Sequence, residues 1–269
     1  RFDWSGIIGS LIYQGIDYFG QWYSKHNPRV NDAISGPVEE FNEIGYECIE
    51  DEDEFLKIGI GGLRKSNNEQ YDRFKLYEII NPGEWIVERT GRKVVFRHLI
   101  KDVSGYSYCY TKCVELTVGI PELLITHTLK NTGRKVIKTK VYNHNFLTIG
   151  HLFTDSNVVV TFPENIVKSI SDNKNRILNI DKNRVGFTRA IFPNESVMVM
   201  NINDNPVAGS IIVENEKLKA GVEITSDARY STIHFWASER TCCPEPYINI
   251  ELFPRQEIDW SFKYVFYVK

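Results

Sequence analysis

An apolar–polar alternation with a period of two residues runs through most of this chain. Side chains of a β-strand point alternately to opposite faces of a sheet, so this period predicts half-buried strands. The segments that show it are rich in Val, Ile, Thr, Tyr and Phe, and they cover Lys93–Ile100, Tyr106–Gly119, Leu123–Asn131, Val136–Ile149, Asn157–Phe162, Ser196–Ile202, Gly209–Glu214, Gly221–Thr225, Thr232–Ala237, Ile248–Phe253 and Asp259–Val268. No stretch of about twelve residues combines a helical period with caps at both ends. The chain is therefore predicted to be all-β.

Turn signals separate these segments. They include Asn81–Pro82–Gly83, Asn131–Thr132–Gly133 and Asn203–Asp204–Asn205–Pro206. About a dozen short strands joined by such turns indicate a large antiparallel sandwich or barrel. A sandwich of 269 residues is often one domain, and no linker-like segment divides this chain. We expect a single domain over residues 1–269.

Composition narrows the possible partners. The 32 basic and 35 acidic residues leave a net charge of −3, which does not indicate a nucleic-acid surface. No segment approaches the ~18 apolar residues of a membrane-spanning helix, so no membrane partner is expected. The five cysteines are odd in number and lack zinc spacing, which predicts reduced thiols and no metal site. Because the chain starts at Arg1, a signal peptide could have been removed, and a cytoplasmic and a periplasmic location both stay open.

Two short motifs carry groups that can move a proton near neutral pH. One is Pro244–Glu245–Pro246, which we expect to be a stiff connection between the strand-like segments Thr232–Ala237 and Ile248–Phe253. The other is Asn143–His144–Asn145, whose imidazole titrates near neutrality. One carboxylate and one imidazole suffice for general acid–base catalysis without a cofactor. The motifs therefore predict acid–base chemistry on a small hydroxylated ligand.

Taken together, the motifs resemble the galactose mutarotase-like (aldose 1-epimerase) superfamily, and in particular a divergent bacterial branch of it. The motifs that carry the resemblance are spread over essentially the whole chain. They are Arg1–Gly6 (RFDWSG), Gly36–Phe41 (GPVEEF), Leu129–Gly133 (LKNTG), Tyr142–Phe146 (YNHNF) and Pro244–Pro246 (PEP). The resemblance implies one large antiparallel β-supersandwich, in agreement with the alternation. It also implies a small-molecule sugar as the partner of a monomer or a homodimer.

The resemblance also implies roles for individual residues. His144 matches the family's general acid, which gives a proton to the ring oxygen, and Glu245 matches the base, which takes the proton of the anomeric hydroxyl. The ring opens, the aldehyde rotates, and closure gives the other anomer. Asn143, from the same motif as His144, is expected to bind the sugar together with Trp236. Burial among prolines and aromatic side chains is expected to raise the pKa of Glu245.

The chain departs from the family pattern where the sugar would be held. After Gly36–Pro37 it has Glu39–Glu40 in place of an Asn-Arg pair, and the stretch Gly59–Lys65 replaces a His-Gly-Gly. Arg64 is the candidate that would restore a cation there, with Lys65 as its neighbour, and Glu40 is the candidate for binding sugar hydroxyls. Arg64 and Glu40 thus complete the predicted substrate-binding set.

Three functions are compatible with these observations. The first is a mutarotase or epimerase of a free aldose. The second is a sugar-binding protein that has lost catalysis, which the missing sugar contacts favour and the retained acid–base pair disfavours. The third is an accessory domain of a polysaccharide-degrading system. Because one fold hosts several functions, the decisive observation is whether His144 and Glu245 share a pocket with convergent polar groups.

Overall fold

Two antiparallel sheets, one of ten strands and one of five, dominate the architecture. The computed structural model describes residues 2–3, 6–22, 35–50, 52–66, 69–166 and 176–269. From the motifs named above, Arg1, Trp4 and Ser5 lie outside the described residues.

The described residues form 22 strands and no α-helix. The strands are β1 (Phe2–Asp3), β2 (Ile7–Ile8), β3 (Ile12–Tyr13), β4 (Ile16–Asp17), β5 (Gly36–Phe41), β6 (Glu54–Lys57), β7 (Gly61–Arg64), β8 (Ile79–Asn81), β9 (Glu84–Thr90), β10 (Lys93–Val103), β11 (Tyr106–Leu116), β12 (Glu122–Asn131), β13 (Ile137–Phe146), β14 (Val158–Thr161), β15 (Leu178–Asp181), β16 (Arg184–Phe187), β17 (Ser196–Val199), β18 (Ile211–Asn215), β19 (Ala220–Ser226), β20 (Thr232–Ser238), β21 (Thr241–Leu252) and β22 (Glu257–Val268). Two short 3₁₀ segments lie at Tyr46–Cys48 and Ile149–His151.

The large sheet has the order β15-β16-β14-β18-β19-β22-β12-β11-β10-β9, and the smaller main sheet has the order β17-β20-β21-β13-β5. Three further small sheets are β1-β2, β3-β4 and β6-β7-β8. All paired strands whose register is known are antiparallel, as short turns between successive strands allow.

The alternation in the sequence becomes alternating burial in the strands. Along β12, buried and half-exposed side chains alternate over most of the strand, and the buried set packs into one large apolar core. The two sheets meet through side chains such as Phe41 of β5, whose ring lies edge-on to Tyr110 of β11 at 5.3 Å and to Trp260 of β22 at 6.2 Å. Each such fully buried side chain contributes about 1.5–3 kcal/mol to folding. The predicted all-β antiparallel supersandwich is confirmed.

Strand β5 begins at a position that requires glycine. Gly36 has φ of +65°, and a Cβ atom there would lie 2.3 Å from the main-chain oxygen of Ile8. A left-handed conformation and a close approach of main chain both exclude a side chain. The glycine therefore allows the segment at Ile7–Ile8 to lie directly against the start of β5.

The main departure from the sequence prediction lies around Glu245. The residues Thr241–Leu252 form one continuous strand, β21, in the middle of the five-stranded sheet between β20 and β13. Glu245 is thus inside a strand and not in a connection between two strands. The prediction was wrong because prolines are normally confined to edge strands, where their missing N–H group is harmless.

Candidate active site

His144 and Glu245 face each other across two neighbouring strands. β13 and β21 pair in one register over residues 137–142, and an isolated bridge between Leu147 and Cys242 continues that register. The bridge carries both main-chain hydrogen bonds, of 3.2 and 3.0 Å. His144 and Glu245 therefore fall on a non-hydrogen-bonded pair, where opposite side chains approach most closely. Nε2 of His144 lies 3.3 Å from Oε1 of Glu245.

The strand alternation separates the residues of β13 into two faces. Tyr142, His144 and Phe146 share the outer face of the five-stranded sheet, and Asn143 and Asn145 point between the sheets. Asn143 is fully buried, and its amide donates a 3.0 Å hydrogen bond to the hydroxyl of Tyr264 on β22. The expectation that Asn143 binds a ligand beside His144 is therefore corrected, because its side chain lies on the opposite face of the sheet.

The outer face carries three rows of side chains that cross four adjacent strands. In the order β20, β21, β13, β5, the rows are Trp236, Cys243, Phe146 and Gly36; His234, Glu245, His144 and Val38; and Thr232, Tyr247, Tyr142 and Glu40. The middle row places Glu245 between two imidazoles, with His144 in direct contact. His234 is held from its other side, with Nε2 at 3.3 Å from Oδ1 of Asn201.

Aromatic rings line one side of the pair. The imidazole of His144 stacks on Phe146, with centroids 3.9 Å apart and an interplanar angle of 7°. Trp22 stacks on Phe146 at 5.5 Å, and Trp236 presents its edge to His144 at 5.8 Å. The structure thus brings the predicted Trp236 to the pair. Such apolar surroundings exclude water from the imidazole and leave a surface on which a sugar ring can pack.

A cluster of charged and phenolic groups lies on the other side of the pair. Glu40 accepts hydrogen bonds from Tyr142 at 2.5 Å, from Arg73 at 2.8 Å and from Lys57 at 3.3 Å. Arg73 also hydrogen-bonds the Tyr142 hydroxyl. The rings of Tyr142 and Tyr247 stack at 4.4 Å, and Tyr142 lies 6.0 Å from His144. The predicted Glu40 is therefore near the pair, and its charge is compensated by two cations.

The structure places the predicted Arg64 elsewhere. Arg64 lies on β7 in the three-stranded sheet, where its guanidinium bonds Glu78 at 2.9 Å and Glu52 at 3.2 Å. The cation that interacts with Glu40 and Tyr142 is Arg73, in the segment between β7 and β8. The expectation for Arg64 is corrected because its charge is already engaged by two carboxylates that lie next to its own sheet.

Burial shifts the pKa values of the pair in opposite directions. Desolvation raises the pKa of Glu245 to about 8, with Glu40 adding to the rise, while Arg73 and a hydrogen bond from Tyr247 oppose it. Desolvation lowers the pKa of His144 to about 3. Both shifts disfavour a buried charge. At neutral pH the free pair therefore holds one proton, on Glu245, and the imidazole is neutral. The predicted rise in the pKa of Glu245 agrees with this environment.

The pKa of Glu40 is shifted in the opposite direction from that of Glu245. Burial alone would raise the pKa of Glu40, but the charges of Lys57 and Arg73 outweigh it and hold that pKa below its usual value. The row beside the pair therefore contributes a permanent carboxylate, and the pair itself contributes a carboxyl that holds its proton. Glu40 and Glu245 lie in adjacent rows on two strands that β13 separates, and their neighbours thus give them different protonation states.

Two cavities open beside the tyrosine row. One, of about 200 Å³, is lined in part by Glu40, Arg73, Tyr142 and Tyr247. The other, of about 360 Å³, shares Glu40 and Arg73 with it and extends along apolar side chains such as Ile58. The smaller cavity reaches the two tyrosines in the row beside the pair, but His144 and Glu245 themselves line neither cavity. A sugar-sized ligand has room in these cavities with polar groups to contact.

Neither a metal site nor a membrane span is found in the part of the chain that is described. No group of three or more His, Cys, Asp or Glu side chains in it is arranged to hold a metal ion. None of its helical segments is long and apolar enough to cross a bilayer. The five cysteines are free, and three of them are buried.

Comparisons with known proteins were made at the level of sequence and of structure. No protein-family model and no curated protein sequence matches the chain. Among solved structures, a galactose mutarotase-like protein from Lactobacillus casei covers 96% of this chain and 93% of its own length, with a TM-score of 0.60 and 14% identity. A galactose mutarotase-like protein from Clostridium acetobutylicum covers 100% and 91%, with a TM-score of 0.61 and 14% identity.

A third similar structure is the GalM/aldose epimerase homologue from C. elegans, which covers 99% of this chain and 94% of its own, with a TM-score of 0.58 and 12% identity. These likenesses extend over nearly the whole described chain at very low identity. The chain therefore has the galactose mutarotase-like fold, and the resemblance that the sequence motifs indicated is confirmed at the level of the fold.

Several residues at the site were not identified from the sequence. Tyr142 and Tyr247 lie two positions from His144 and Glu245, so the period-two rule alone could have placed them on the same face. His234 is beside Glu245 only because of the register of β20 and β21, and Arg73 arrives from a loop. No short-range sequence pattern predicts that His234 or Arg73 lies at the site.

Proposed function

We propose that this protein interconverts the anomers of a free aldose or a related small sugar by acid–base ring opening, with His144 and Glu245 as its catalytic residues. The observation that carries the proposal is the direct contact of 3.3 Å between the imidazole and the carboxyl group. The fold of the mutarotase-like neighbours supports it at the level of architecture only.

The spacing of the pair suits this reaction. The anomeric hydroxyl oxygen and the ring oxygen of a pyranose are bonded to the same carbon. An acid and a base whose reacting atoms are 3.3 Å apart can therefore reach both oxygens from one edge of the sugar. The contact leaves no space for a ring between the two side chains, so the sugar must lie over the outer face with that edge toward the pair.

The proton inventory of the pair also fits. Ring opening requires that the proton first passes from Glu245 to His144 across their contact. The hydroxyl proton then moves to Glu245 and the proton of His144 to the ring oxygen, while the bond between C1 and the ring oxygen breaks. The reverse transfers close the ring after rotation about the bond between C1 and C2. One proton thus stays on the pair throughout, and the state with a protonated Glu245 and a neutral His144 is the one that burial favours in the free site.

The neighbouring groups supply binding and orientation. Trp236 offers an aromatic edge beside the imidazole, and Glu40 with Arg73 offers an acceptor and donors at the far side of the tyrosine row. A fixed acceptor next to fixed donors matches the vicinal hydroxyls of a sugar. We assign sugar contacts to Trp236, Glu40 and Arg73.

The experiment is polarimetry of freshly dissolved aldoses with and without the protein. His144→Gln and Glu245→Gln each remove one proton-transfer group, and Arg64→Gln is the matched control away from the pair. We expect acceleration by the wild type and by the control, and a loss of about 10²–10⁴-fold in each of the two site variants. Sugar binding without acceleration for any aldose would leave the protein a non-catalytic sugar-binding member of this fold.

A further inference from the structure

The strand that carries Glu245 has prolines at two positions where a sheet needs donors. Leu147 and Cys242 form a hydrogen-bonded pair. Because hydrogen-bonded and non-hydrogen-bonded pairs alternate along an antiparallel ladder, residues 145 and 244 and residues 143 and 246 also occupy hydrogen-bonded positions. Pro244 and Pro246 have no N–H group. The main-chain carbonyls of Asn145 and Asn143 therefore lack the donors that a regular ladder would give them.

Other groups occupy both vacant positions. The side-chain amide of Asn145 donates to the main-chain oxygen of Asn143 at 3.2 Å, and the N–H of Leu147 donates to the oxygen of Asn145 at 2.8 Å. The same Asn145 amide also donates to the oxygen of Pro244 at 2.8 Å, directly across the strand pair. A buried carbonyl without a donor is destabilising, so these bonds make two prolines tolerable in a central strand.

Asn145 is itself fixed from the opposite sheet. Its side chain is fully buried, and its Oδ1 accepts a 2.7 Å hydrogen bond from the hydroxyl of Tyr264 on β22. That hydroxyl in turn accepts from Asn143. The amide is thereby held in one orientation, with both of its hydrogens directed at main-chain oxygens of β13 and β21.

We propose that Asn145 is a positioning residue of the site: its amide replaces the main-chain hydrogen bond that Pro246 removes, adds a bond to the oxygen of Pro244 across the strand pair, and so holds Glu245 opposite His144. The prolines act only toward β13, because the alternation of the strand directs the main-chain groups of residues 243, 245 and 247 toward β20. Without Asn145, β21 stays bonded to β20 but is weakly bonded to β13 at Glu245. The inference rests on the proposed function in so far as the pair is the reacting group.

The first test compares Asn145→Leu with Asn143→Leu. Both variants remove a buried amide that is bonded to Tyr264, but only Asn145→Leu removes the bonds to the main chain around the prolines. The readout is the NMR titration of the His144 imidazole, which needs no turnover. The other charged and titratable groups near the His144 imidazole, Glu40, Arg73 and Tyr142, are unchanged in both variants.

We expect Asn145→Leu to change the His144 resonances and to move their titration by more than about 0.5 pH unit, because the imidazole loses a fixed partner. Asn143→Leu is expected to leave that titration unchanged. If Asn145→Leu does not fold, Asn145→Ser takes its place, since a hydroxyl is too short to reach both carbonyls. A wild-type titration in the folded Asn145 variant would overturn the proposal.

The second test is rescue. Pro246→Ala restores a main-chain N–H at the position that faces the Asn143 oxygen, so the double variant Asn145→Leu/Pro246→Ala is expected to regain the wild-type His144 signals. If Asn145 only filled space in the core, a substitution on β21 would not restore the His144 signals. Failure of the rescue would therefore contradict the proposal.

Anomer interconversion is measured in parallel. Loss of His144 geometry together with an inactive wild type would refute the proposed function but not the positioning role.

Discussion

Nε2 of His144 and Oε1 of Glu245 lie 3.3 Å apart on opposite members of a non-hydrogen-bonded cross-strand pair. Glu245 is buried and His144 is mostly buried, with 5% and 17% of their side-chain surfaces exposed. In this setting the two groups share one proton and neither is charged at neutral pH. The pair is therefore a unit, and its properties are predicted to change when either member or its charged neighbours change.

The rate of anomer interconversion is expected to depend on pH as a bell. The one-proton state of the pair exists between the pKa of His144, about 3, and that of Glu245, about 8. Below this window the pair holds two protons, and above it none. We expect kcat/KM to fall about tenfold per pH unit above pH 8, since this parameter reports the free protein. A rate that keeps rising up to pH 10 would contradict the shared-proton account.

Glu245→Gln is expected to change the pH dependence of stability. The folded protein holds the Glu245 proton up to pH about 8, whereas a glutamate in the unfolded chain releases it near pH 4.5. The folded state thus binds more protons in this window, and wild-type stability falls as pH rises through it, by about 1.4 kcal/mol per pH unit for this group. Glutamine does not titrate. Urea unfolding at pH 5 and pH 8 should show the variant gaining a few kcal/mol relative to the wild type, and an equal difference at both pH values would refute the burial argument.

Arg73→Gln is expected to raise the pKa of Glu245 further. The guanidinium of Arg73 opposes the effect of burial on that carboxyl group, so its removal favours the protonated form. The alkaline limb of the pH–rate profile, or the ¹³C titration of the Glu245 carboxyl, should move upward by about 1 pH unit. Arg64→Gln is the control, because Arg64 bonds Glu52 and Glu78. The account fails at this point if both variants shift the titration equally.

A second buried pair determines stability away from the proposed chemistry. Lys112 of β11 bonds Glu39 of β5 at 2.5 Å between the two sheets, and both side chains are almost fully buried. Lys112→Met leaves the carboxylate uncompensated and is expected to cost about 3–5 kcal/mol of unfolding free energy. The double variant Lys112→Met/Glu39→Gln should recover most of that loss. If thermal unfolding shows the double variant to be as unstable as the single one, packing and not charge explains the effect.

The fold could be predicted because its cause is local and repeated. Period-two alternation over segments such as Leu123–Asn131 is enough to indicate half-buried strands, and the structure has β12 over Glu122–Asn131. The same rule is enough to place Asn143 and His144 on opposite faces of the sheet, because neighbouring side chains of a strand alternate. The motif match alone groups Asn143 with His144 as a sugar-binding residue.

The site could be predicted only where its residues stand in recognisable motifs. His144 and Glu245 were found in this way, but their contact depends on a register fixed by residues far along both strands. Arg73 could not be distinguished from other arginines because a loop brings it to Glu40. The position of Glu245 inside a central strand could not be predicted, because prolines are rare in such strands and the compensation by Asn145 is visible only in three dimensions.

Saturation transfer between the anomeric protons of an aldose at equilibrium tests the central claim most directly. Irradiating one anomer and observing the other, across a panel of neutral and charged aldoses, measures interconversion without an initial imbalance. The account predicts transfer that grows with the concentration of the wild-type protein for at least one sugar, and that His144→Gln and Glu245→Gln both abolish. Transfer at the uncatalysed rate for every sugar, or transfer that survives both substitutions, would contradict it.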